Sequence, residues 1–352
     1  MTVDLDFPSV VRAHQAQYPL MRPQDYGKLA YQIEFGPRHM ALEWESVLSG
    51  LQREWEEAPP GDASPVEDLG AGLCRFHLTG GCDVGRAAPL LARLFLRTAR
   101  KRRGSLDGLG QKLELLGRLD IPGMDGWLAE YRRQGCPVPS HSGAFQTAYH
   151  PRYRLLEAWY AHSFSALLEI DRLARAGKPA VAAIDGRCGS GKTHFAALIQ
   201  ELFPCSVIHM DDYYLPMEKR PPGWEDKAGG HMDFSRFLSE ILVPARNGAP
   251  LCCRPYDCRS GRLSRAADLP PRLLTVVEGS YSTHPCLAGQ YDCTIFLTCS
   301  PQEQAKRLSA RDARTFARFR DRWIPMEERY FKECGTQAGS GHAIDTSSFF
   351  TS

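Results

Sequence analysis

The sequence predicts an α/β protein: a parallel sheet with helices on both faces in the C-terminal part, preceded by a mainly α-helical N-terminal domain. Two observations carry that prediction. From residue 180 onward, short apolar runs of strand length alternate with amphipathic helical segments, the pattern of a sheet buried on both sides. A glycine-rich loop also sits between the first of those runs and the helix that follows it. At roughly 100–200 residues per domain, 352 residues leave room for two domains, each able to bury its own core.

The first 145 residues are punctuated by two stretches, 59–65 and 135–143, dense in residues that break helices and strands. Around them the period is helical. Leu42, Val47, Leu48 and Leu51 share a face of 40–55, and Leu90, Leu91, Leu94 and Phe95 share one of 87–103. The basic run from Arg97 to Arg103 closes the second helix, where cations complement the negative end of the dipole, and Gly104 is placed to cap it. A long amphipathic helix over 154–177, carrying Leu155, Leu156, Trp159, Leu167, Leu168, Ile170 and Leu173, connects the domains and stops at Gly177 before Pro179. The predicted division is therefore 1–145, a connecting segment 146–177, and 178–352. Strands are expected at 180–184, 206–210, 273–277 and 294–298, and helices at 194–203, 234–243 and 302–311.

Composition narrows the partners. With 43 Lys+Arg against 41 Asp+Glu, the net charge of +2 gives no global reason to expect nucleic acid or an anionic membrane. The apolar runs fall far short of the ~20 residues needed to cross a bilayer. The start of the chain, with Asp4 and Asp6, lacks the basic and apolar regions of a secretory signal. The twelve cysteines are scattered, with no Cys-x-x-Cys pair and no zinc-type Cys/His spacing, as expected of thiols in a reducing cytoplasm.

Gly186-Arg187-Cys188-Gly189-Ser190-Gly191-Lys192-Thr193 matches G-x-x-x-x-G-K-[ST] in full, in the strand–loop–helix context the motif requires. Glycines let successive N–H groups turn inward toward phosphate oxygens, and the helix that follows adds its positive end. Lys192 would reach the β- and γ-phosphates of ATP, and the Thr193 hydroxyl would ligate Mg²⁺. The run 206–210 ends in Asp211-Asp212, which puts carboxylates at the sheet edge where open α/β sheets bind ligands. There Asp211 is placed to take a proton or to hold the metal. The run 273–277 ends in Glu278, the acid-after-strand pattern of a second metal-holding carboxylate. The basic segment 306–322, with Arg307, Arg311, Arg314 and Arg318, is placed to close over a nucleotide and face its phosphates.

These residues resemble the uridine kinase-like family of P-loop small-molecule kinases, which includes nicotinamide riboside kinases. The matching elements are the loop 186–193, His209 to Tyr214, Met232-Asp233-Phe234, Tyr256-Asp257, Val277-Glu278-Gly279 and the start of the basic segment. They fall in the family's order over about 178–334. The resemblance implies Asp211 as base, Asp233 on sugar hydroxyls, Tyr256 near the acceptor's base, Glu278 assisting Mg²⁺, and Arg307, Arg311 and Arg314 along the phosphates. Two departures stand out: no histidine follows Tyr256-Asp257, and Arg322-Trp323-Ile324-Pro325 replaces the family's usual lid pattern.

The function read from the sequence is ATP- and Mg²⁺-dependent phosphoryl transfer to a hydroxyl of a small, nucleoside- or sugar-like molecule. An alternative is an ATP-dependent switch whose N-terminal domain grips a partner. A third, a nucleic-acid-processing ATPase, would rest on the 97–103 run.

Overall fold

The computed structural model describes residues 6–40, 43–61 and 66–349. Leu42, the 62–65 part of the first loop-rich stretch and the first five residues of the chain lie outside them. The chain divides into two compact units, one up to residue 164 and one of 165–350.

In the N-terminal unit, α1 (Phe7–Gln17) starts at Asp6, whose carboxylate accepts from the Ser9 N–H. Helices α2 (Pro23–Phe35) and α3 (Trp44–Glu56) follow, then a tight antiparallel pair, β1 (Val66–Gly70) and β2 (Leu73–His77). Next come α4 (Val84–Lys101), α5 (Leu106–Gly117), α6 (Met124–Arg133) and α7 (Gly143–Tyr149). Strand β3 (Tyr153–Glu157) then returns to pair with β2, and α8 (Ala158–His162) closes the unit. The content is mainly helical, as expected, but the organising element is this three-stranded sheet. Leu69, Leu73 and Leu155 on one face pack with Val10, Leu29, Ile33 and Leu113 of the helices. Phe76 on the other face packs against Trp55 and Phe164.

Two expectations are corrected here. The helix predicted over 154–177 is β3, then α8, then α9 (Phe164–Ala174). Leu155 and Leu156 are both buried, one on each face of the sheet, and a strand covered on both faces reads as the same apolar run a buried helix would give. Gly104 is not the left-handed cap of α4, because its φ is not positive. Its place against α2 demands glycine instead: a Cβ there would meet the Glu34 carbonyl oxygen at 2.5 Å. The basic run is held within the unit. Arg97 donates to the Tyr160 hydroxyl, and Arg102 donates to the carbonyls of Ile33 and Ala71.

In the C-terminal unit, α9 leads to β4 (Ala180–Gly186), α10 (Lys192–Leu202) and β5 (Cys205–His209). A helical stretch follows, α11 (Phe234–Phe237) and α12 (Val243–Arg246), joined by a wide π turn over Leu238–Leu242. Two short antiparallel pairs come next: β6 (Leu251–Cys253) with β9 (Ala267–Leu269), and within them β7 (Tyr256–Asp257) with β8 (Arg262–Leu263). The remaining elements are β10 (Leu274–Glu278), β11 (Cys293–Thr298), α13 (Pro301–Arg311), α14 (Ala313–Arg318), α15 (Ile324–Cys334) and β12 (His342–Asp345). No helix among the described residues is long and apolar enough to cross a membrane.

Five strands form one parallel sheet in the order β12-β11-β4-β10-β5, the fold class expected from the glycine-rich loop and the alternating strands. From β4 the chain crosses to one side to make β5, and every later strand steps back the other way. Right-handed crossovers therefore put α10 on one face and the later helices on the opposite one. On that second face Val181, Ile208, Val277 and Phe296 pack against Phe237, Ile241, Tyr330 and Phe331. Strand β4 is buried throughout, and the chain's reversal of direction across it makes its C-terminal end the topological switch point, where such sheets bind ligands.

The loop leaves β4 at Gly186, with φ +135° and with a hypothetical Cβ only 1.9 Å from the Leu297 carbonyl oxygen of β11. Gly177 also has positive φ (+66°) but nothing within 4 Å of such a Cβ. Gly186→Ala should therefore cost about 3 kcal/mol or more, against about 1 kcal/mol for Gly177→Ala, in denaturant unfolding. Equal losses would show that contact with β11 is not what demands glycine.

Candidate active site

The C-terminal ends of β4, β5 and β10 open into a cavity of about 610 Å³. Gly189 and Gly191 turn the loop through positive φ, and Gly191 also caps α10, so the helix begins with its N–H groups facing the cavity. The loop's capacity for anions is visible directly. The Cys188 N–H donates to Glu327 Oε2 (2.9 Å), and the other oxygen of that buried carboxylate accepts from Ser280 Oγ (2.7 Å). A carboxylate from α15 thus occupies a backbone donor of the loop.

Lys192 is buried, and its ammonium donates to the carbonyls of Gly186 (2.7 Å) and Arg187 (3.0 Å) and to Ser280 Oγ (3.3 Å). Thr193 Oγ1 donates to Glu278 Oε1 (3.1 Å), and His209 Nδ1 meets the same oxygen at 2.5 Å. Sheet register explains the second contact, because Glu278 and His209 are Cα partners at the ends of β10 and β5. The hydrogen bond to Glu278 raises the His209 pKa.

Asp211 sits in the turn after β5, open to solvent inside the cavity but surrounded by protein. Burial raises its pKa to about 6; the charge of Lys192 opposes the shift, and that of Glu278 adds to it. The Tyr214 hydroxyl donates to it at 3.3 Å.

Lys192, Thr193, Asp211 and Glu278, four residues picked out in the sequence, therefore line one cavity, with Cys188, Gly189 and Gly191 of the loop. Arg307 and Arg311 line it as well. The Arg307 guanidinium is engaged by carbonyls, donating to Gly189 (3.2 Å) and Thr346 (2.6 Å), so it joins the loop to the segment after β12. Arg187 points elsewhere, forming a two-pronged ion pair with Glu328 and donating to Thr298 Oγ1. Ser190 is fully buried, and its carbonyl accepts from Thr346 Oγ1. Besides Gly186, Arg187 and Ser190, three further expected residues lie outside the cavity lining. Arg314 is exposed beside Asp312. Asp233 spends its carboxylate capping α11 and pairing with Arg236, and Tyr256 is buried in the β7–β8 hairpin.

The sequence reading missed Ser280, Glu327, Thr315 and His231, while Arg318 of the expected basic segment lines the cavity. Ser280 is two residues beyond Glu278 and was within reach of a motif reading. Glu327 carries no local signal, because only the return of α15 brings it to the loop. His231 is 1% exposed, and neither ring nitrogen has a hydrogen-bond partner. It lies among the rings of Tyr214, Trp224, Tyr281 and Trp323, with centroids 4.9–5.5 Å away. Burial lowers its pKa to about 3, so it faces the cavity as neutral imidazole.

In the N-terminal unit, Asp68, Cys74 and His162 come together, a grouping without a spacing signal in the sequence. The buried thiol of Cys74 is held protonated and donates to Asp68 Oδ1 (2.7 Å).

No family model matches the chain, and neither does a curated protein. Among solved structures, a protein described as a possible uridine kinase from Bacillus stearothermophilus is 19% identical, with a TM-score of 0.39, covering 50% of this chain and 97% of its own. Shikimate kinase from Bacteroides thetaiotaomicron is 12% identical, with a TM-score of 0.24, covering 47% of this chain and 85% of its own.

Because the folded pKa of Asp211 lies above its ordinary 3.8, ionising it costs the native state stability as pH rises from about 4 through 6. Asp211→Asn should therefore raise the thermal midpoint at pH 7.5 and leave it unchanged at pH 3.5. A loss of stability at pH 7.5 would contradict the assigned environment.

Proposed function

We propose that the protein is a phosphotransferase that moves the γ-phosphoryl group of ATP to a hydroxyl of a small, nucleoside- or sugar-like molecule, acting in the cytoplasm. The observation that carries this reading is the convergence of Lys192, Thr193, Asp211 and Glu278 on one cavity at the switch point of the sheet. The donors suit the groups required. The loop already holds one carboxylate on a backbone N–H, and the oxygens of Thr193, Glu278 and Asp211 are the hard ligands that Mg²⁺ takes. When bound, Mg²⁺ would neutralise charge between the β- and γ-phosphates.

The chain's own part is chiefly positioning and electrostatics. Lys192, held by two carbonyls that only accept, is a cation kept at the loop's mouth. A triphosphate competes with the Glu327 carboxylate for the Cys188 N–H. At neutral pH, Asp211 is ionised yet basic enough to accept the proton of an attacking hydroxyl, the balance general-base catalysis requires. Arg311 and Arg318 supply positive charge at the cavity wall. A pure nucleotide switch has no need of a tuned base there.

The test is ADP release from Mg-ATP across a panel of nucleosides, sugars and related alcohols. Acceptor-dependent release should vanish in Lys192→Ala and fall about 10²–10⁴-fold in Asp211→Asn. The wild-type rate should rise with pH through about 6 as Asp211 loses its proton, and Asp211→Asn should lack that limb. ADP release that ignores every acceptor but disappears in Lys192→Ala would favour the switch.

A further inference from the structure

The N-terminal unit has a cavity of about 620 Å³ that phosphoryl transfer does not account for. It lies where the core-facing side of the small sheet changes character. Register places Glu67 opposite Arg75 and His77 opposite Tyr153, in the same rows that hold Leu69, Leu73 and Leu155 further along. Strand alternation thus buries charge where it elsewhere buries leucine. An apolar replacement would commonly be as stable or more so, so such a cluster calls for a role other than stability.

The cluster has more donors than acceptors. Arg75, 1% exposed, donates to Glu67 Oε2 (3.4 Å) and twice to Gln32 Oε1 (3.2 and 2.8 Å), using three of its five N–H groups. Glu67 also lies 2.9 Å from His77 Nε2 and 3.0 Å from His14 Nε2. His14 Nδ1 faces the Val10 carbonyl at 2.9 Å. Both ring nitrogens of His14 therefore face oxygens. The other acids are engaged too. Asp25 accepts from Arg22 N–H and from the N–H and hydroxyl of Ser142, and it faces His141; Asp68 accepts from Cys74. His150 and Arg152 stand at the rim and are shared with an adjoining cavity lined by Lys28, whose pKa is lowered by burial and by the charge of Arg75.

We propose that this cavity is a second ligand site, for a small organic anion whose carboxylate or phosphate meets Arg75, His77 and Arg152 and whose apolar body lies against Tyr18, Phe145 and Tyr149. Excess donors supply the counter-charge, and the aromatic walls supply the area.

The test uses the full chain carrying Lys192→Ala, which removes the ammonium at the P-loop, titrated at constant ionic strength with benzoate, phenyl phosphate and neutral benzamide. Calorimetry should show at least one anion binding about tenfold more tightly than benzamide, and the tighter anion identifies the head group. His77→Gln and Arg152→Gln, both at partly exposed positions, should each weaken that anion about tenfold while circular dichroism stays unchanged. Equal affinity for benzamide, no binding of either anion, or indifference to both substitutions would overturn the proposal. Since Lys192 is already absent, none of these outcomes depends on the kinase reading.

Discussion

The carboxylate of Asp185, buried at the end of β4, holds the active-site end of the sheet together. It accepts from the Gly186 N–H (2.7 Å), the Thr283 N–H and hydroxyl (2.9 and 2.7 Å) and the Tyr330 hydroxyl (2.7 Å). One side chain thereby ties the first residue of the glycine-rich loop to the segment after β10 and to α15. A buried carboxylate is tolerable only when its lone pairs are satisfied, and here four donors satisfy them. Loop, Glu278 and Glu327 are held in mutual position by that requirement.

Around this anchor the site is rich in acid. Asp211, Glu278 and Glu327 share the cavity with Lys192, and His209 lies on Glu278. Burial raises the proton affinity of Asp211, and the crowding of Glu278 and Glu327 beside it adds to the effect. The same crowding favours a divalent cation, which relieves the repulsion that protonation would otherwise relieve. One arrangement thus suits both the base and the metal-ligating oxygens of the proposed reaction.

The N-terminal unit shows the opposite balance within a sheet of three strands. Its polar end sets Arg75, with three of its five N–H groups used, among acids that already accept from side-chain and backbone donors. Both cavities are built where a sheet's regular pattern is interrupted, one at the end of parallel strands and the other where core-facing positions become charged.

Much of the C-terminal unit was legible in the chain because its determinants are local. Apolar runs bounded by turn residues marked β4, β5, β10 and β11, and the spacing of glycines, Lys192 and Thr193 marked the loop. The small N-terminal sheet was not legible, since Leu155 and Leu156 are buried on opposite faces and periodicity does not separate that strand from a helix. The site divided along the same line. Lys192, Thr193, Asp211 and Glu278 sit at strand ends or in the loop, so topology carries them to one edge. Asp233 and Tyr256 belong to local structures that use them otherwise. Glu327, the Thr283 and Tyr330 partners of Asp185, and the Tyr281 and Trp323 rings on His231 come from segments distant in sequence, and only packing brings them together. The sequence by itself determined the glycine-rich loop and the strand-end acids, because backbone conformation and strand polarity place those residues. The tertiary structure alone decided which carboxylate faces the loop, which acid has its proton affinity raised and where the second cavity lies, because those depend on burial and on contacts across the fold.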